Sequence, residues 1–382
     1  MLKLDLKDLK EREKWSAAGI AVPSFDIEKM REETKLRPRW AHIGPGNIFR
    51  GFIAELAQEL IEAGDMQSGV TVVSTFDQQV ISKIYEPYDS LALRVAMRPD
   101  GRLEKEVVAS VGEVLRADGD YPAEWARAKE IFADPGLQMV SFTITEKGYH
   151  IKGISGEYYP EVLDDFRSGA SGAAPKNGMA AVAALLLERY KAGAHPIAMV
   201  SMDNFSHNGD KLLDSVSAFA KEWCANGTAP DGFFGYVSDP KKVSFPWSMI
   251  DKITPRPDAS VSKTLNDLGF ESTELVITDK NTYIAPFVNT EAPQYLVIED
   301  SFPNGRPPLE KAGVRFTERA TVDLVERMKV CTCLNPLHTA MAVFGCLLGY
   351  TSIAAEMKDE SIVRLIKRIG YVEGMPVVAD PK

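Results

Sequence analysis

The chain has 382 residues, of which 45% are apolar and 26% charged, and 44 basic against 54 acidic side chains give a formal net charge of −10. At roughly 100–200 residues per domain, this length predicts two or three domains with a sizeable core. The acidic balance argues against nucleic acid as the main partner, because binding a phosphate backbone requires a basic surface. A small anionic substrate is compatible with this net charge, since one or two local cations suffice to bind it.

The sequence pattern predicts neither a membrane segment nor a secretory signal. No run of 18 or more apolar residues occurs, and the N-terminal stretch LKLDLKDLKERE lacks the uninterrupted apolar core of a signal peptide. Four cysteines in a chain this long do not form a disulfide framework. We therefore expect reduced thiols in a cytoplasmic protein.

The first predicted elements form a βαβ unit. A charged, helical leader is expected over residues 1–35. Trp40 to Ile43 then forms a strand-like run, the turn Gly44 to Gly46 follows, the apolar stripe from Phe49 to Ile61 is typical of a helix, and Val70 to Ser74 forms a buried strand. A strand, a helix and a second strand in this order require a parallel sheet.

Further strands and helices continue this pattern before the chain changes character. Met139 to Thr145 and Ile197 to Met202 are strand-like, and an alanine- and leucine-rich helix lies between them. The turn-rich stretch FPNGRPP at 302–308 is followed by mostly helical patterns. We expect a Rossmann-type α/β domain with a mostly parallel sheet over residues 36–300. A mainly α-helical domain is expected over 301–382, and its extended end looks truncated.

The turn after the first strand of this unit has the composition of a dinucleotide site. Gly44 permits a tight turn and Gly46 lets the backbone approach a pyrophosphate, while the helix start at Asn47, Ile48 and Phe49 offers N–H groups. The third glycine of the usual pattern is replaced by Phe49. A simple βα turn stays an alternative, and Arg50 either reaches a phosphate or caps a surface.

An acidic residue after the second strand of the unit is the candidate ligand of the adenosine ribose. Asp77 follows Gly44 by 33 residues, later than the usual spacing of about 20. A carboxylate there disfavours a 2′-phosphate and therefore favours NAD over NADP. The alternative is that Asp77 is the N-cap of the next helix.

A lysine, an asparagine and a histidine share an apolar stretch near the C-terminus. Lys329, Asn335 and His338 supply what a metal-free alcohol oxidation requires: a base that burial makes neutral, and donors for the developing alkoxide. The alternative is a surface lysine, a capping asparagine and a core histidine. Zinc is not expected at Cys331 and Cys333, because no second ligand pair accompanies them.

Ordered motifs throughout the chain resemble the long-chain mannitol dehydrogenase family, whose members are metal-independent NAD(P)-linked oxidoreductases of polyols and hexonates. These motifs are Gly44-x-Gly46-x-x-x-Arg50, TEKGY at 145–149, SMDN at 201–204, HNG at 207–209, FPWSMIDKI at 245–253, IED at 298–300, GRP at 305–307, Glu326-x-x-Lys329 and Asn335-x-x-His338.

The resemblance implies a role for each matching residue. Lys329 corresponds to the general base, and Asn335 and Asn204 correspond to the asparagines that hold the reacting oxygen. His338 corresponds to the histidine that orients the substrate, and Glu326 to an acid on the proton path. Glu146 and Arg50 correspond to residues on the cofactor side.

One departure from the family concerns the helix that carries the lysine. Five residues separate Lys329 from Asn335, where the family usually has four. On a continuous α-helix, one extra residue turns Lys329 by about 100° relative to His338. A helix break at Cys331 to Leu334, with Asn335 as the next N-cap and Pro336 in its first turn, would accommodate the residue. A π-bulge would also accommodate it. A misdirected lysine is the third possibility.

The resemblance implies hydride transfer between NAD(H) and an open-chain hexonate or hexuronate, with D-fructuronate and D-mannonate favoured. This preference rests on the variants NPLH at 335–338 and FPWS at 245–248, which resemble the fructuronate-reductase-like branch. The alternatives are oxidation of D-mannitol and a catalytically silent dinucleotide-binding remnant. No metal, nucleic acid or membrane partner is expected, and the oligomeric state is left open.

Overall fold

The computed structural model describes residues 1–98, 100–170 and 172–381. The chain divides into two compact units, one of residues 1–296 with 301–315 and one of residues 297–300 with 316–382. The predicted leader, residues 1–35, lies within the first unit. The main segment of the second unit begins at Phe316, whereas the sequence pattern placed the boundary at 300/301.

The strands are short, and most α-helices span between four and eighteen residues. The strands are β1 (Ile20–Ala21), β2 (Trp40–Ile43), β3 (Val70–Ser74), β4 (Ala92–Met97), β5 (Leu103–Val108), β6 (Val111–Arg116), β7 (Met139–Phe142), β8 (Ile197–Ser201), β9 (Val243–Ser244), β10 (Ser248–Asp251), β11 (Val276–Ile277), β12 (Tyr283–Ile284), β13 (Phe287–Glu291), β14 (Tyr295–Glu299) and β15 (Arg315–Thr317). The α-helices are α1 (Arg12–Ala17), α2 (Ile27–Leu36), α3 (Ala54–Glu62), α4 (Gln78–Val80), α5 (Pro122–Ala133), α6 (Thr145–Gly148), α7 (Pro160–Ser168), α8 (Gly178–Lys191), α9 (Asn208–Ala225), α10 (Gly232–Ser238), α11 (Ala259–Asp267), α12 (Arg319–Arg327), α13 (Asn335–Leu347), α14 (Ile353–Glu356) and α15 (Glu360–Lys367). Turns of π-helix lie at Phe49–Ile53, Ile81–Tyr85, Met328–Cys333 and Arg368–Gly374.

A parallel sheet lies at the centre of the first unit. Its strand order is β6-β3-β2-β7-β8-β9, and each neighbouring pair is parallel. β2, β3, β7 and β8 are buried along their whole length, which explains why their sequences show no alternation of apolar and polar residues. The chain builds outward from β2 to β6 and then crosses over to build outward from β7 to β9. Such doubly wound sheets bind ligands where the order reverses, here at the C-terminal ends of β2 and β7.

The helices that pack around this sheet are held by an apolar core and by capping bonds. α8 is buried on nearly all sides and contacts α5 and α9. Its first turn is capped by the Asn177 side chain, which accepts hydrogen bonds from the N–H groups of Met179 and Ala180. Large aromatic side chains such as Phe132, Phe142, Phe219 and Trp223 fill the core.

A buried arginine closes the N-terminal ends of β7 and β8. Arg189, on α8, is 0% exposed. Its guanidinium donates hydrogen bonds to main-chain carbonyls on two segments, one before β7 and one before β8. The acceptors are Phe132, Asp134, Leu137, His195 and Pro196. Burial lowers the pKa of Arg189, because little water surrounds its charge. The carbonyl dipoles stabilise the guanidinium cation in this site.

A second, mixed sheet in the first unit has the order β1-β5-β4-β13. The predicted leader contributes β1, which pairs in parallel with β5, and Leu2 forms a parallel bridge to Phe270. Trp15 packs in the same apolar cluster as Leu93 and Phe287, so the leader contributes to this core. The antiparallel hairpin of β11 and β12 follows α11 in the chain.

The second unit is mainly helical, as the sequence pattern predicts. Met341, Ile362 and Ile366 form its buried cluster, and the Tyr350 hydroxyl donates to Asp359 over 2.8 Å. Several apolar side chains of α13 and the turn after it are exposed, among them Leu347 and Leu348. By length and average hydropathy, the helical run from Arg319 to Leu347 qualifies as a candidate membrane span, which on its own is weak evidence.

Candidate active site

The glycine turn after β2 is a tight and fully packed bend. Gly44 has φ +114°, a conformation that side-chain-bearing residues rarely adopt. A Cβ at Gly44 would overlap the carbonyl oxygen of Thr143 and lie 2.8 Å from its carbonyl carbon. The Gly44 N–H donates to the carbonyl of Val73 on β3. Glycine is therefore required here by both the backbone conformation and the close approach of the chain after β7.

The next part of the turn is open and suits a phosphate group. A Cβ at Gly46 would meet no atom within 4 Å. The Arg50 N–H donates to the Gly46 carbonyl, so the N–H groups of Asn47, Ile48 and Phe49 belong to the first helical turn, which lacks intrahelical acceptors. Helix N-termini of this kind attract anions. The open face at Gly46 and the donors beside it fit the pyrophosphate of a dinucleotide.

Side chains around the turn point inward and support it. Arg50 is 2% exposed and donates to the Pro286 carbonyl over 3.0 Å, and burial lowers its pKa to about 10. Asn47 donates to the Tyr283 carbonyl over 3.2 Å. Phe49 is buried and stacks on His42, with ring centroids 4.3 Å apart. The guanidinium of Arg50 therefore anchors the helix start from inside, and a phosphate contact by Arg50 stays a prediction.

Two residues after Phe49, a glycine lies close against a strand of the second sheet. A Cβ at Gly51 would lie 2.7 Å from Thr290 Cγ2 and 3.1 Å from Val288 Cγ2, both on β13. A glycine at this position lets a helix approach a strand closely. Gly51 therefore lets this helix pack closely on β13, a strand of the second sheet.

Asp77 follows β3 and is buried against a distant hairpin. It precedes α4 as the N-cap residue, but its side chain makes no capping bond. Its Oδ2 instead accepts hydrogen bonds of 2.6 Å from the hydroxyls of both Thr278 and Thr282. Its Oδ1 is buried and has no partner among the described residues. The N-cap alternative is thus wrong for the side chain, and the contact with a ribose stays a prediction.

The turns after β7 and β8 are joined by one carboxylate. Asp203 accepts hydrogen bonds from the N–H of Ile144 over 2.9 Å, from the N–H of Thr145 over 3.0 Å and from the hydroxyl of Tyr149 over 2.7 Å. Burial raises the pKa of Asp203 and of Tyr149. The neighbouring candidates, Glu146 and Asn204, are exposed on these turns.

The extra residue before Asn335 is accommodated by a π-helical turn. α12 continues into the π-helix Met328–Cys333, in which the Leu334 N–H donates to the Lys329 carbonyl, five residues back. Leu334 then leaves helical geometry with φ −123° before α13 begins. A π-turn adds one residue without rotating the helix that follows by a full 100°. The expected π-bulge is present, and the chain also leaves helical geometry at Leu334, although Asn335 is not the N-cap that the expected break required.

The candidates of the second unit lie along this helical run. Lys329 is 5% exposed, while Glu326 and His338 are half-buried and Asn335 is exposed. Asn335 is the first residue of α13 and not its N-cap, which is Leu334, and Pro336 occupies the first turn as expected. Val330, which follows the lysine in the chain, is 40% exposed.

The candidates thus form two sets, one in each unit. Gly44, Asp77, Glu146 and Asn204 lie at the C-terminal ends of the neighbouring strands β2, β3, β7 and β8. Among the described residues, no group of three or more His, Cys, Asp or Glu side chains is placed to hold a metal ion. Sequence reasoning missed Asp203, although it lies beside Asn204 in the SMDN motif. It also missed Thr278 and Thr282, for which no local signal exists.

Comparison with known proteins identifies the family. Residues 38–311 match the family described as the mannitol dehydrogenase Rossmann domain. D-mannonate oxidoreductase of Thermotoga maritima is 50% identical over 382 residues, 100% of this chain and 70% of the relative. Polyol:NADP oxidoreductase of Gluconobacter oxydans is 28% identical over 350 residues, 90% of this chain and 65% of the relative.

A solved structure shows the same architecture. Pseudomonas fluorescens mannitol 2-dehydrogenase, in a ternary complex with NAD and D-mannitol, superposes with a TM-score of 0.77 at 26% identity and covers 99% of this chain and 70% of its own. The chain therefore spans about two thirds of the length of these relatives. The expected Rossmann-type fold with a helical C-terminal region is confirmed. The chain belongs to the mannitol dehydrogenase family.

Proposed function

We propose that this chain carries an NAD-dependent oxidoreductase that transfers a hydride between the nicotinamide and an open-chain hexonate or hexuronate. The pair D-mannonate and D-fructuronate is the substrate pair we favour. The observation that carries this proposal is the 50% identity to a D-mannonate oxidoreductase over 100% of this chain. The polyol-oxidising relatives are more distant, at 28% identity or near it.

The preference for NAD over NADP rests on Asp77. Asp77 follows β3, where an acidic side chain suits the ribose hydroxyls of the adenosine and repels a 2′-phosphate. Gly44 shapes the turn, Gly46 leaves room for the pyrophosphate, and the N–H groups of Asn47, Ile48 and Phe49 face it. We place Arg50 and Glu146 on the cofactor side, with Arg50 supporting the turn from within.

The bound nicotinamide dinucleotide supplies or accepts the hydride. In alcohol oxidation, the ε-amine of Lys329 accepts the hydroxyl proton while the hydride leaves the carbon that bears this hydroxyl. Asn335 and Asn204 donate hydrogen bonds to the oxygen as it gains carbonyl character. His338 orients the substrate, and Glu326 passes the proton between Lys329 and solvent. These roles need no metal.

An NADH-oxidation assay with D-fructuronate, D-tagaturonate and D-fructose tests the proposal. We expect the highest kcat/KM with D-fructuronate. Preference for D-fructose would instead assign the activity of mannitol 2-dehydrogenase, which is the second candidate because the matching solved structure contains D-mannitol. NADH binding without turnover of any of the three would assign a silent dinucleotide-binding remnant. We further propose a cytoplasmic location, in keeping with the free cysteines.

A further inference from the structure

The carboxylate of Asp203 ties together the ends of two neighbouring strands of the central sheet. It lies two residues after β8, and its oxygens accept the main-chain N–H groups of Ile144 and Thr145 after β7. The hydroxyl of Tyr149 donates to the same carboxylate and is also within 2.8 Å of Ser201 Oγ. Tyr149 is 1% exposed and Ser201 is fully buried, whereas Asp203 is half-buried and Thr145 is exposed.

The segment that Asp203 holds has a strained backbone. Thr145 has φ +64°, which is rare for a β-branched residue because its Cβ crowds the neighbouring carbonyl. Such conformations persist only where the surrounding contacts enforce them. The N–H groups of Ile144 and Thr145 lie on the N-terminal side of this torsion, and Tyr149, whose hydroxyl donates to the same carboxylate, lies on its C-terminal side. The carboxylate is therefore in a position to enforce the left-handed turn.

The strained turn lies against the dinucleotide turn. The carbonyl of Thr143 touches the position that a Gly44 Cβ would occupy, so the chain after β7 forms the opposite side of the crevice at the sheet reversal. Asn204, the proposed donor to the reacting oxygen, follows Asp203 directly in the chain. A change in the Asp203 carboxylate therefore affects the cofactor-side turn and the substrate-side asparagine together.

We propose that Asp203 is a positioning residue, which holds the Thr145 turn in its left-handed conformation and thereby shapes the nicotinamide side of the crevice. It touches neither cofactor nor substrate and acts through Thr145 and Asn204. This inference rests on the proposed nicotinamide dinucleotide cofactor. Its physical basis, the restraint on the Thr145 turn, does not depend on that cofactor.

The substitution Asp203→Asn tests the restraint with almost no change of shape. An amide has one acceptor oxygen, and its NH₂ group would face a main-chain N–H, so at least one of the two donors loses its acceptor. We expect NADH binding, measured by fluorescence titration, to weaken about tenfold. Amide exchange of a peptide covering residues 143–149 should become faster in the absence of any ligand.

A second substitution separates positioning from general destabilisation. Glycine adopts positive φ about as readily as negative φ, so Thr145→Gly in the Asp203→Asn background should restore most of the lost NADH affinity. Asp134→Asn is the matched control, since the Asp134 carboxylate accepts the Gly136 N–H at the opposite end of β7. We expect this control to bind NADH as the wild type does.

The outcomes decide between the explanations. Wild-type NADH affinity and wild-type amide exchange in Asp203→Asn would overturn the proposal. Weak binding that Thr145→Gly does not restore would also overturn it, because the defect would then be general instability. A wild-type chain that binds no NADH would contradict the proposed function, while faster exchange at 143–149 in Asp203→Asn would still support the restraint.

Discussion

Substitution by alanine should have different effects at the two glycines of the dinucleotide turn. It should destabilise the fold at Gly44 and weaken cofactor binding at Gly46. Gly44→Ala forces a side-chain-bearing residue into φ +114° and pushes its methyl group into the Thr143 carbonyl. The backbone conformation costs about 1–3 kcal/mol and the overlap about as much again, so the free energy of unfolding should fall by about 2–6 kcal/mol. That is a large part of the 5–15 kcal/mol typical of a domain.

Gly46→Ala should leave the fold intact and impair cofactor binding. Its new Cβ meets no atom within 4 Å, so we expect the free energy of unfolding to change by less than about 1 kcal/mol. The methyl group would, however, occupy the space through which a pyrophosphate approaches the backbone. NADH binding should therefore weaken by about tenfold or more, which corresponds to about 1.4 kcal/mol.

Chemical denaturation and NADH fluorescence titration of both variants check these expectations. If Gly46→Ala binds NADH as tightly as the wild type, the open face at Gly46 is not the pyrophosphate site. Wild-type stability of Gly44→Ala would contradict the expected destabilisation, since the contact with Thr143 would then be easily relieved.

The other predictions concern the base, the cofactor, the metal and pH. Lys329→Ala should lower kcat by about 10²–10⁴-fold with NADH binding unchanged, and near-normal turnover would place the base elsewhere. NADH should bind several-fold more tightly than NADPH in paired titrations, whereas equal affinity would leave Asp77 as an anchor for Thr278 and Thr282 only. EDTA should leave activity unchanged, and stoichiometric zinc by elemental analysis would contradict this. Burial lowers the pKa of His42 to about 3, so the unfolded chain binds a proton below about pH 6.5 that the folded chain excludes. The free energy of unfolding should therefore fall by about 2 kcal/mol between pH 6.5 and pH 5. We expect His42→Asn, compared with the wild type by chemical denaturation at both pH values, to lack this pH dependence.

The sheet could be predicted from the sequence because its signals are local. Uninterrupted apolar runs at β2, β3, β7 and β8 mark strands that are buried on both faces, and the glycines after β2 mark the turn to the next helix. These features depend on neighbours in the chain. The motif pieces extended this prediction to the family, which the comparisons confirmed.

Contacts between distant residues could not be predicted from the sequence. The hydroxyl partners of Asp77 lie 201 and 205 residues further along the chain, and the carbonyl that accepts from Arg50 lies 236 residues away. No periodicity reports such pairs. The π-turn at Met328–Cys333 was one of several expected ways to accommodate the extra residue between Lys329 and Asn335. The sequence shows that this residue has to be accommodated but does not determine the local structure that does so.

Arg189, at the N-terminal ends of β7 and β8, restricts the choice of amino acid at its own position more than at the positions of its hydrogen-bond partners. Its acceptors are main-chain oxygens, which every amino acid provides. The residues that carry these oxygens are therefore free to change type over evolutionary time, as long as the backbone path is kept. Position 189 has no such freedom, because lysine presents one nitrogen and lacks the planar fork that reaches several carbonyls at once. An alignment of relatives should show an invariant arginine there, surrounded by partners that vary.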